Sequence, residues 1–115
     1  MSKFIFTYRS AQSYDALTDP DGLVAWGAFL NEVIKPSVVD PGWPVFEPSV
    51  LLGEVGASTQ LGGYSIVTAG DIDAALSMAK RCPTLERHGG VEVAVLAELP
   101  IEHPAEQMRS SRSTD

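Results

Sequence analysis

Two tyrosines, an aspartate and two tryptophans have side chains suited to chemistry on a small organic molecule. Asp40 precedes a proline-rich loop that holds Trp43, and neighbouring indoles can raise the pKa of a carboxyl until it serves as a general base. Tyr8 and Tyr64 each carry a hydroxyl that can donate a hydrogen bond to a substrate oxyanion. We therefore take Asp40, Tyr8 and Tyr64 as candidate catalytic residues.

Trp26, Trp43 and Glu47 are candidate substrate-binding residues, because indoles form flat apolar walls and Glu47 belongs to the same loop as Trp43. Each candidate also has a structural interpretation. Trp26 fits the apolar stripe of a helix, and Glu47 suits a solvated loop. Asp40 suits a turn in which the carboxylate accepts from local amides. Buried tyrosines commonly bond to backbone groups instead of to a ligand.

The histidines and the cysteine indicate neither a metal nor a disulfide. His88 and His103 are fifteen residues apart, which is not a metal-ligand spacing. Cys82 is the single cysteine, so an intrachain disulfide is excluded, and its position at the end of a predicted helix suits packing. We expect no metal and no cofactor.

The composition is that of one soluble globular domain of 115 residues. Eight Lys and Arg against fifteen Asp and Glu give a net charge of −7, which argues against binding to nucleic acid or to an anionic membrane. The longest near-apolar run, residues 23–30, is far shorter than the about 20 residues of a membrane span. The N-terminal residues lack the apolar centre of a signal peptide, so we expect a cytoplasmic protein.

Hydrophobic periodicity predicts four strands and two helices. Asp19, Pro20 and Asp21 mark the start of the first helix, which Pro36 ends, and Asp71 and Pro83 bracket the second. Residues 38–48 are expected to be irregular because of their prolines and glycine. The predicted strands are residues 3–8, 50–55, 64–68 and 91–99.

The resulting order, β-α-β-β-α-β, is the ferredoxin-like α+β arrangement, an antiparallel four-stranded sheet with two helices on one face. Both faces of the predicted sheet carry apolar residues. We therefore expect a homodimer that joins the two open sheet faces. The domain is predicted to cover residues 1–100. Residues 101–115, rich in serine and charge, are expected to form a disordered tail or to clasp a partner.

Four segments resemble the YCII-related family, a branch of the dimeric α/β-barrel proteins. They are LGGYSIV at 61–67, DIDAAL at 71–76, AKRCP at 79–83 and GGVEV at 89–93, and the resemblance covers residues 3–99. It implies the ferredoxin-like fold, a face-to-face dimer and a pocket between the sheet and the helices.

The resemblance also implies a histidine-aspartate dyad, with the histidine near the start of the first helix. That helix holds Trp26 and no histidine, whereas Asp40 is the counterpart of the aspartate. The family's Asp-Gly-Pro-Phe motif is also absent, since Gly-Ala-Ser-Thr stands at residues 56–59. The sequence is thus a variant that lacks the histidine of the dyad.

Three functions are compatible with these residues. The first is a cofactor-free lyase, isomerase or cyclase that uses acid-base chemistry on a small aromatic or polyketide-like molecule. The second is a non-catalytic small-ligand-binding or accessory dimer, which the missing histidine favours. The third, a cofactor-free monooxygenase, rests on analogy of fold.

Overall fold

The computed structural model describes residues 1–56 and 58–98. The elements are β1 (Ser2–Ala11), α1 (Pro20–Phe29), β2 (Val38–Asp40), β3 (Thr59–Ala69), α2 (Ile72–Ala79) and β4 (Gly90–Leu96). Short helical turns at Ala16–Thr18, Leu30–Ile34, Lys35–Ser37 and Pro83–Glu86 join them. The predicted tail, residues 101–115, lies outside the described residues.

The four strands form one antiparallel sheet in the order β2-β3-β1-β4. Strand β1 lies in the centre, where Thr7 pairs with Tyr64 of β3 and with Glu92 of β4. Together with the chain order of the elements, this topology confirms the predicted ferredoxin-like α+β fold.

The core lies between the sheet and the two helices. On β1 the buried Phe4, Phe6 and Tyr8 alternate with partly exposed residues, because successive strand side chains point to opposite faces. We call the face that carries these three aromatics the helix-covered face and the other the open face. Strand β3 adds Ser65, Val67 and Ala69 to the helix-covered face. Helical residues complete the core: Phe29, Val33, Ile34, Ala75 and Ala79.

Helix α1 begins as its sequence predicts. The Asp19 carboxylate caps it by accepting from the amide of Gly22, and Pro20 occupies the first turn. Beyond Phe29 the helical path widens into a π-helical turn, Leu30–Ile34, which buries Val33 and Ile34 against the sheet. The helical turn that follows ends at Ser37, next to the proline predicted to terminate the helix.

The predicted second strand is wrong in position. Residues 50–55 form no strand; Val50 and Leu52 are each 93% exposed and Gly53 has φ +82°. The edge of the sheet is instead occupied by β2, which lies within the segment predicted to be irregular. Val38 follows directly from the helical turns and pairs with Val67, so β2 fills the position next to β3.

The third and fourth strands are placed correctly but differ in length. Strand β3 spans Thr59–Ala69 and so starts five residues before the predicted strand, whereas β4 ends at Leu96. The extra residues pair with the end of β1 beyond an irregularity at Tyr8 and Arg9, so both strands are longer than predicted. Among the described residues, no helix is both long and apolar enough to cross a membrane.

Candidate ligand-binding site

A cavity of about 640 Å³ lies beside the end of β1 and the first half of β3. Tyr8 and Ser65 line it from the sheet, and Trp26 and Leu30 line it from the helical segment. The loop of residues 41–48 closes the remaining side with Trp43 and Phe46. The lengthened strands and the displaced second strand thus create space between sheet, helix and loop.

Aromatic rings form much of the wall. The Trp26 ring meets Tyr8 edge-on, with centroids 4.7 Å apart and planes at 76°, and also contacts Phe29 at 5.6 Å. Trp26 therefore packs against the core and also forms part of the cavity wall. Trp43 is 77% exposed, which places its indole at the mouth. Two of the predicted binding residues, Trp26 and Trp43, are brought to one cavity.

A chain of hydroxyls leads away from the cavity along the helix-covered face. The Tyr8 hydroxyl donates to Ser65 Oγ at 2.8 Å, and the Ser65 hydroxyl donates to the carbonyl oxygen of Pro41 at 2.7 Å. Both side chains are buried, with Tyr8 only 4% exposed. Burial raises the pKa of Tyr8 well above its ordinary value, because a phenolate would lose its hydration. Tyr8 thus stays a neutral phenol at physiological pH.

The loop of residues 41–48 is held against β3 by backbone contacts. Pro44 forms a bridge with Gly63, and the amide of Val45 donates to the carbonyl of Gly62 at 3.0 Å. Gly42 has φ +79°, and any side chain there would collide with the carbonyl oxygen of Tyr64. The close approach of this loop to β3 therefore requires glycine at position 42, and it places the Pro41 carbonyl within reach of Ser65.

Asp40 and Tyr64 meet on the opposite side of the sheet. Asp40 Oδ1 accepts from the amide of Gly42 at 2.9 Å, and Oδ2 accepts from the Tyr64 hydroxyl at 3.1 Å. Tyr64 pairs with Thr7, whose side chain points away from the helices, so this pair belongs to the open face. The hydrogen bond to the Asp40 carboxylate raises the pKa of Tyr64.

The three candidate catalytic residues therefore fall into two groups. Asp40 and Tyr64 are hydrogen-bonded to each other on the open face, whereas Tyr8 is bonded to Ser65 on the helix-covered face. Asp40 is not among the residues that line the cavity, although Tyr64 borders it. Glu47 is exposed and lies outside the lining, between Phe46 and Pro48, which both contribute to it.

A polar cluster at the start of α1 includes Tyr14, which also lines the cavity. Asp19 accepts from the Tyr14 hydroxyl at 2.9 Å and from Arg87 Nε at 2.7 Å, in addition to the capping bond from Gly22. The bond to Arg87 is the main reason that the pKa of Asp19 is lowered. The cluster ties the loop that precedes α1 to the segment between α2 and β4.

Four residues of the cavity wall and the neighbouring cluster carry no role predicted from the sequence: Ser65, Tyr14, Gln60 and Arg87. A signal existed for Ser65, because it shares a strand face with Val67 and Ala69, and a buried hydroxyl requires a partner. Gln60 lies in a segment whose sequence predicts a turn; its amide nitrogen donates to the carbonyls of Ala11 and Tyr14 at 3.0 and 2.8 Å. No local pattern marks the pairing of Arg87 with Asp19, which lies 68 residues away.

Cys82 is a buried packing residue. Its thiol lies 3.1 Å from the Thr84 hydroxyl, and burial raises its pKa, so the reactive thiolate is disfavoured. In the part of the chain that the structure describes, no three His, Cys, Asp or Glu side chains are grouped so that they could hold a metal ion.

Fold and cavity together define a small ferredoxin-like α+β protein with a ligand-sized space on the helix-covered side of its sheet. No family model matches the chain, and no curated protein matches its sequence. The resemblance to the YCII-related family remains a prediction.

One solved structure is similar in fold. It is 5-chloro-2-hydroxyhydroquinone dehydrochlorinase (TftG) from Burkholderia phenoliruptrix AC1100, in complex with 2,5-dihydroxybenzoquinone. The likeness has a TM-score of 0.54 at 17% sequence identity and covers 90% of this chain and 97% of that one. At this identity the likeness supports a related small α+β fold.

Proposed function

We propose that this protein binds a small, flat aromatic molecule in the cavity beside Tyr8, Trp26 and Trp43. The cavity itself carries the proposal: its volume of about 640 Å³ lies within the about 300–1,000 Å³ typical of ligand pockets, and aromatic rings wall it. A planar ring would contact the Trp26 and Trp43 indoles, while its polar substituents would meet the hydroxyls of Tyr8 and Ser65.

The structural neighbour supports the same ligand class. The dehydrochlorinase is in complex with 2,5-dihydroxybenzoquinone, a single planar ring with oxygen substituents. A ring of this size fits easily into the cavity of the present chain, which could also hold two fused rings.

Titration of the protein with 2-naphthol, followed by calorimetry, tests the proposal. We expect saturable binding, and we expect Trp43→Ala to weaken it about tenfold, because the indole at the mouth loses its contact area with the ring. Leu52→Ala is the matched control, since Leu52 is 93% exposed and lies outside the cavity lining. Absence of binding heat, or equal affinity of the Trp43→Ala variant and the unaltered protein, would contradict the proposal.

A second candidate function is a cofactor-free lyase, isomerase or cyclase, and the Asp40–Tyr64 pair favours it. A carboxylate that accepts from a phenol at 3.1 Å can serve as a general base next to a proton donor. The neighbour is a dehydrochlorinase, which is a lyase-type activity. In this case the substrate must reach the open face, where the pair lies.

Replacement of the carboxylate tests the enzymatic candidate. If Asp40 is the base, Asp40→Asn should cut turnover about 10²-fold or more while ligand binding persists. Full turnover with Asn at position 40 would show that Asp40 only shapes the turn through the Gly42 amide.

Geometry favours the binding function over the enzymatic one. Asp15 is the one carboxylate among the described residues that line the cavity, and it is exposed at the rim. The hydroxyl chain from Tyr8 ends at the carbonyl of Pro41, which accepts a hydrogen bond but cannot take up a proton. The cavity wall is thus better suited to recognition than to proton abstraction.

A homodimer joined through the open sheet faces is part of the proposed binding function. Ile5, Ile66 and Ala94 form one cross-strand row on the open face, and no helix of the described chain covers them. Sedimentation at micromolar concentration should give twice the chain mass of 12.3 kDa, and Ile5→Glu should shift it toward the single chain. A monomer in the unaltered protein would contradict this assembly.

A further inference from the structure

We propose that the ligand of this cavity is a hydrogen-bond donor, a phenol or hydroquinone whose hydroxyl donates to Tyr8 Oη, and that its ether or carbonyl analogue is discriminated against. This inference rests on the proposed binding function and assigns the polarity of its ligand. It follows from the direction of the hydroxyl chain at the cavity wall.

The direction of that chain is fixed at its inner end. The Pro41 oxygen belongs to a carbonyl, so it can only accept, and at 2.7 Å it takes the one proton of Ser65. Ser65 Oγ has no second proton for Tyr8. The 2.8 Å contact between the two hydroxyls therefore requires Tyr8 to donate. Tyr8 in turn has lone pairs to offer but no further proton.

Two other polar side chains of the lining, Gln60 and Tyr14, also present hydrogen-bond acceptors. Both contacts of the Gln60 amide nitrogen are with backbone carbonyls, so its two protons are engaged and its Oε1 remains an acceptor. The Tyr14 hydroxyl donates to the Asp19 carboxylate, which cannot return a proton. Tyr8, Gln60 and Tyr14 thus all present oxygens that accept hydrogen bonds.

A ligand hydroxyl extends this arrangement without breaking it. It donates to Tyr8 Oη, which continues to donate to Ser65, and polarisation along the chain strengthens each bond. A carbonyl oxygen placed at Tyr8 Oη needs the Tyr8 proton, and Tyr8 can provide it only by giving up its bond to Ser65. Loss of one hydrogen bond corresponds to about a tenfold loss in affinity.

Three naphthalenes of similar size test the proposal by calorimetry on the full chain. 2-Naphthol donates a hydrogen bond, 2-methoxynaphthalene lacks the proton, and 2-acetylnaphthalene offers a carbonyl. We expect 2-naphthol to bind about tenfold more tightly than either analogue. The ether controls for ring stacking, because it keeps the oxygen and the planar rings.

Ser65→Ala provides the decisive variant. Without Ser65 Oγ, the Tyr8 proton is released toward the cavity, so the preference for 2-naphthol over 2-acetylnaphthalene should disappear or invert. Ser77→Ala is the matched control: it removes an exposed hydroxyl on α2, which donates to the Asp73 carbonyl far from the cavity. Tyr8→Phe, which removes the accepting oxygen itself, should also abolish the preference if Ser65→Ala fails to fold.

The outcomes separate this inference from the function on which it rests. If no naphthalene binds, the proposed binding function itself is wrong. If all three bind with equal affinity, or if Ser65→Ala and Tyr8→Phe keep the preference for 2-naphthol, the ligand class proposed here is wrong and the cavity remains a binding site.

Discussion

Tyr8 and Tyr64 have the same side chain on neighbouring strands of one sheet, yet they lie in opposite surroundings. Tyr8 projects from the helix-covered face, is 4% exposed and donates to a neutral hydroxyl. Tyr64 projects from the open face and donates to the Asp40 carboxylate. Both have a raised pKa, but burial is the main cause for Tyr8 and the hydrogen bond to Asp40 is the main cause for Tyr64.

The two tyrosines thus have raised pKa values for different physical reasons. Packed rings and hydroxyls surround Tyr8, and burial among them is the main cause of its raised pKa. The raised pKa of Tyr64 depends mainly on Asp40, so it should fall when that carboxylate is replaced. The pKa of Tyr8 is therefore set by packing on the helix-covered side, whereas the pKa of Tyr64 is set by one charged partner on the open side.

The largest expected effect is a difference in stability between a variant of the helix-covered face and a variant of the open face. Ser65→Ala should lower the free energy of unfolding by about 1–3 kcal/mol, because the buried Tyr8 hydroxyl and Pro41 carbonyl both lose their partner. Tyr64→Phe removes one hydroxyl donor to Asp40, whose carboxylate keeps its bond from the Gly42 amide, and should change stability much less. Denaturant unfolding of both variants gives the comparison, and equal losses would contradict it.

A medium effect concerns the titration of the tyrosines, followed by ultraviolet absorbance as the pH rises above about 10. Asp40→Asn should move the titration of one tyrosine to lower pH, because Tyr64 loses the carboxylate that opposes a negative charge on its ring. The titration of Tyr8 should not move, since burial raises its pKa. Asp21→Asn, on the surface of α1, is the control; a shift in that variant would indicate a general charge effect.

The smallest expected effect is the acid dependence of the polar cluster around Asp19 at the start of α1. The pKa of Asp19 is lowered in the fold, so its stabilising contribution is present above about pH 4, the ordinary value, and is lost as the pH falls through the folded value. Thermal unfolding between pH 7 and pH 3 should therefore depend less on pH in Asp19→Asn. An unchanged dependence would show that the ion pair with Arg87 contributes nothing measurable.

The order of elements could be predicted from sequence because periodicity and caps are local signals. The alternation of Phe4, Phe6 and Tyr8 and the cap at Asp71 each depend on a few neighbouring residues. The position of the second strand depends on which segment pairs with β3 at the edge of the sheet, and Val38 pairs there with Val67. The apolar residues 50–55 carry the composition of a strand but find no partner strand among the described residues.

The candidate site was predicted in its residue types more than in its arrangement. Trp26 and Trp43 could be chosen as ligand contacts because a loop and a helix must flank the same space. The assignment of Tyr8 and Tyr64 to opposite faces depends on strand register across more than 50 residues of chain, and an irregularity near Tyr8 alters that register. The direction of the hydroxyl chain depends on the Pro41 carbonyl, which no side-chain pattern encodes.

The prolines beside the cavity also affect whether a strand of another molecule can add to the edge of this sheet. Strand β2 is only three residues long, and Pro41 and Pro44 follow it along β3 without a backbone N–H to offer. An incoming strand would therefore find an incomplete ladder at this edge. The other edge, β4 (Gly90–Leu96), contains no proline and consists mainly of β-branched and small residues. Aggregation by strand addition should begin at β4, and charged substitutions for Val95, which is 59% exposed, should suppress it.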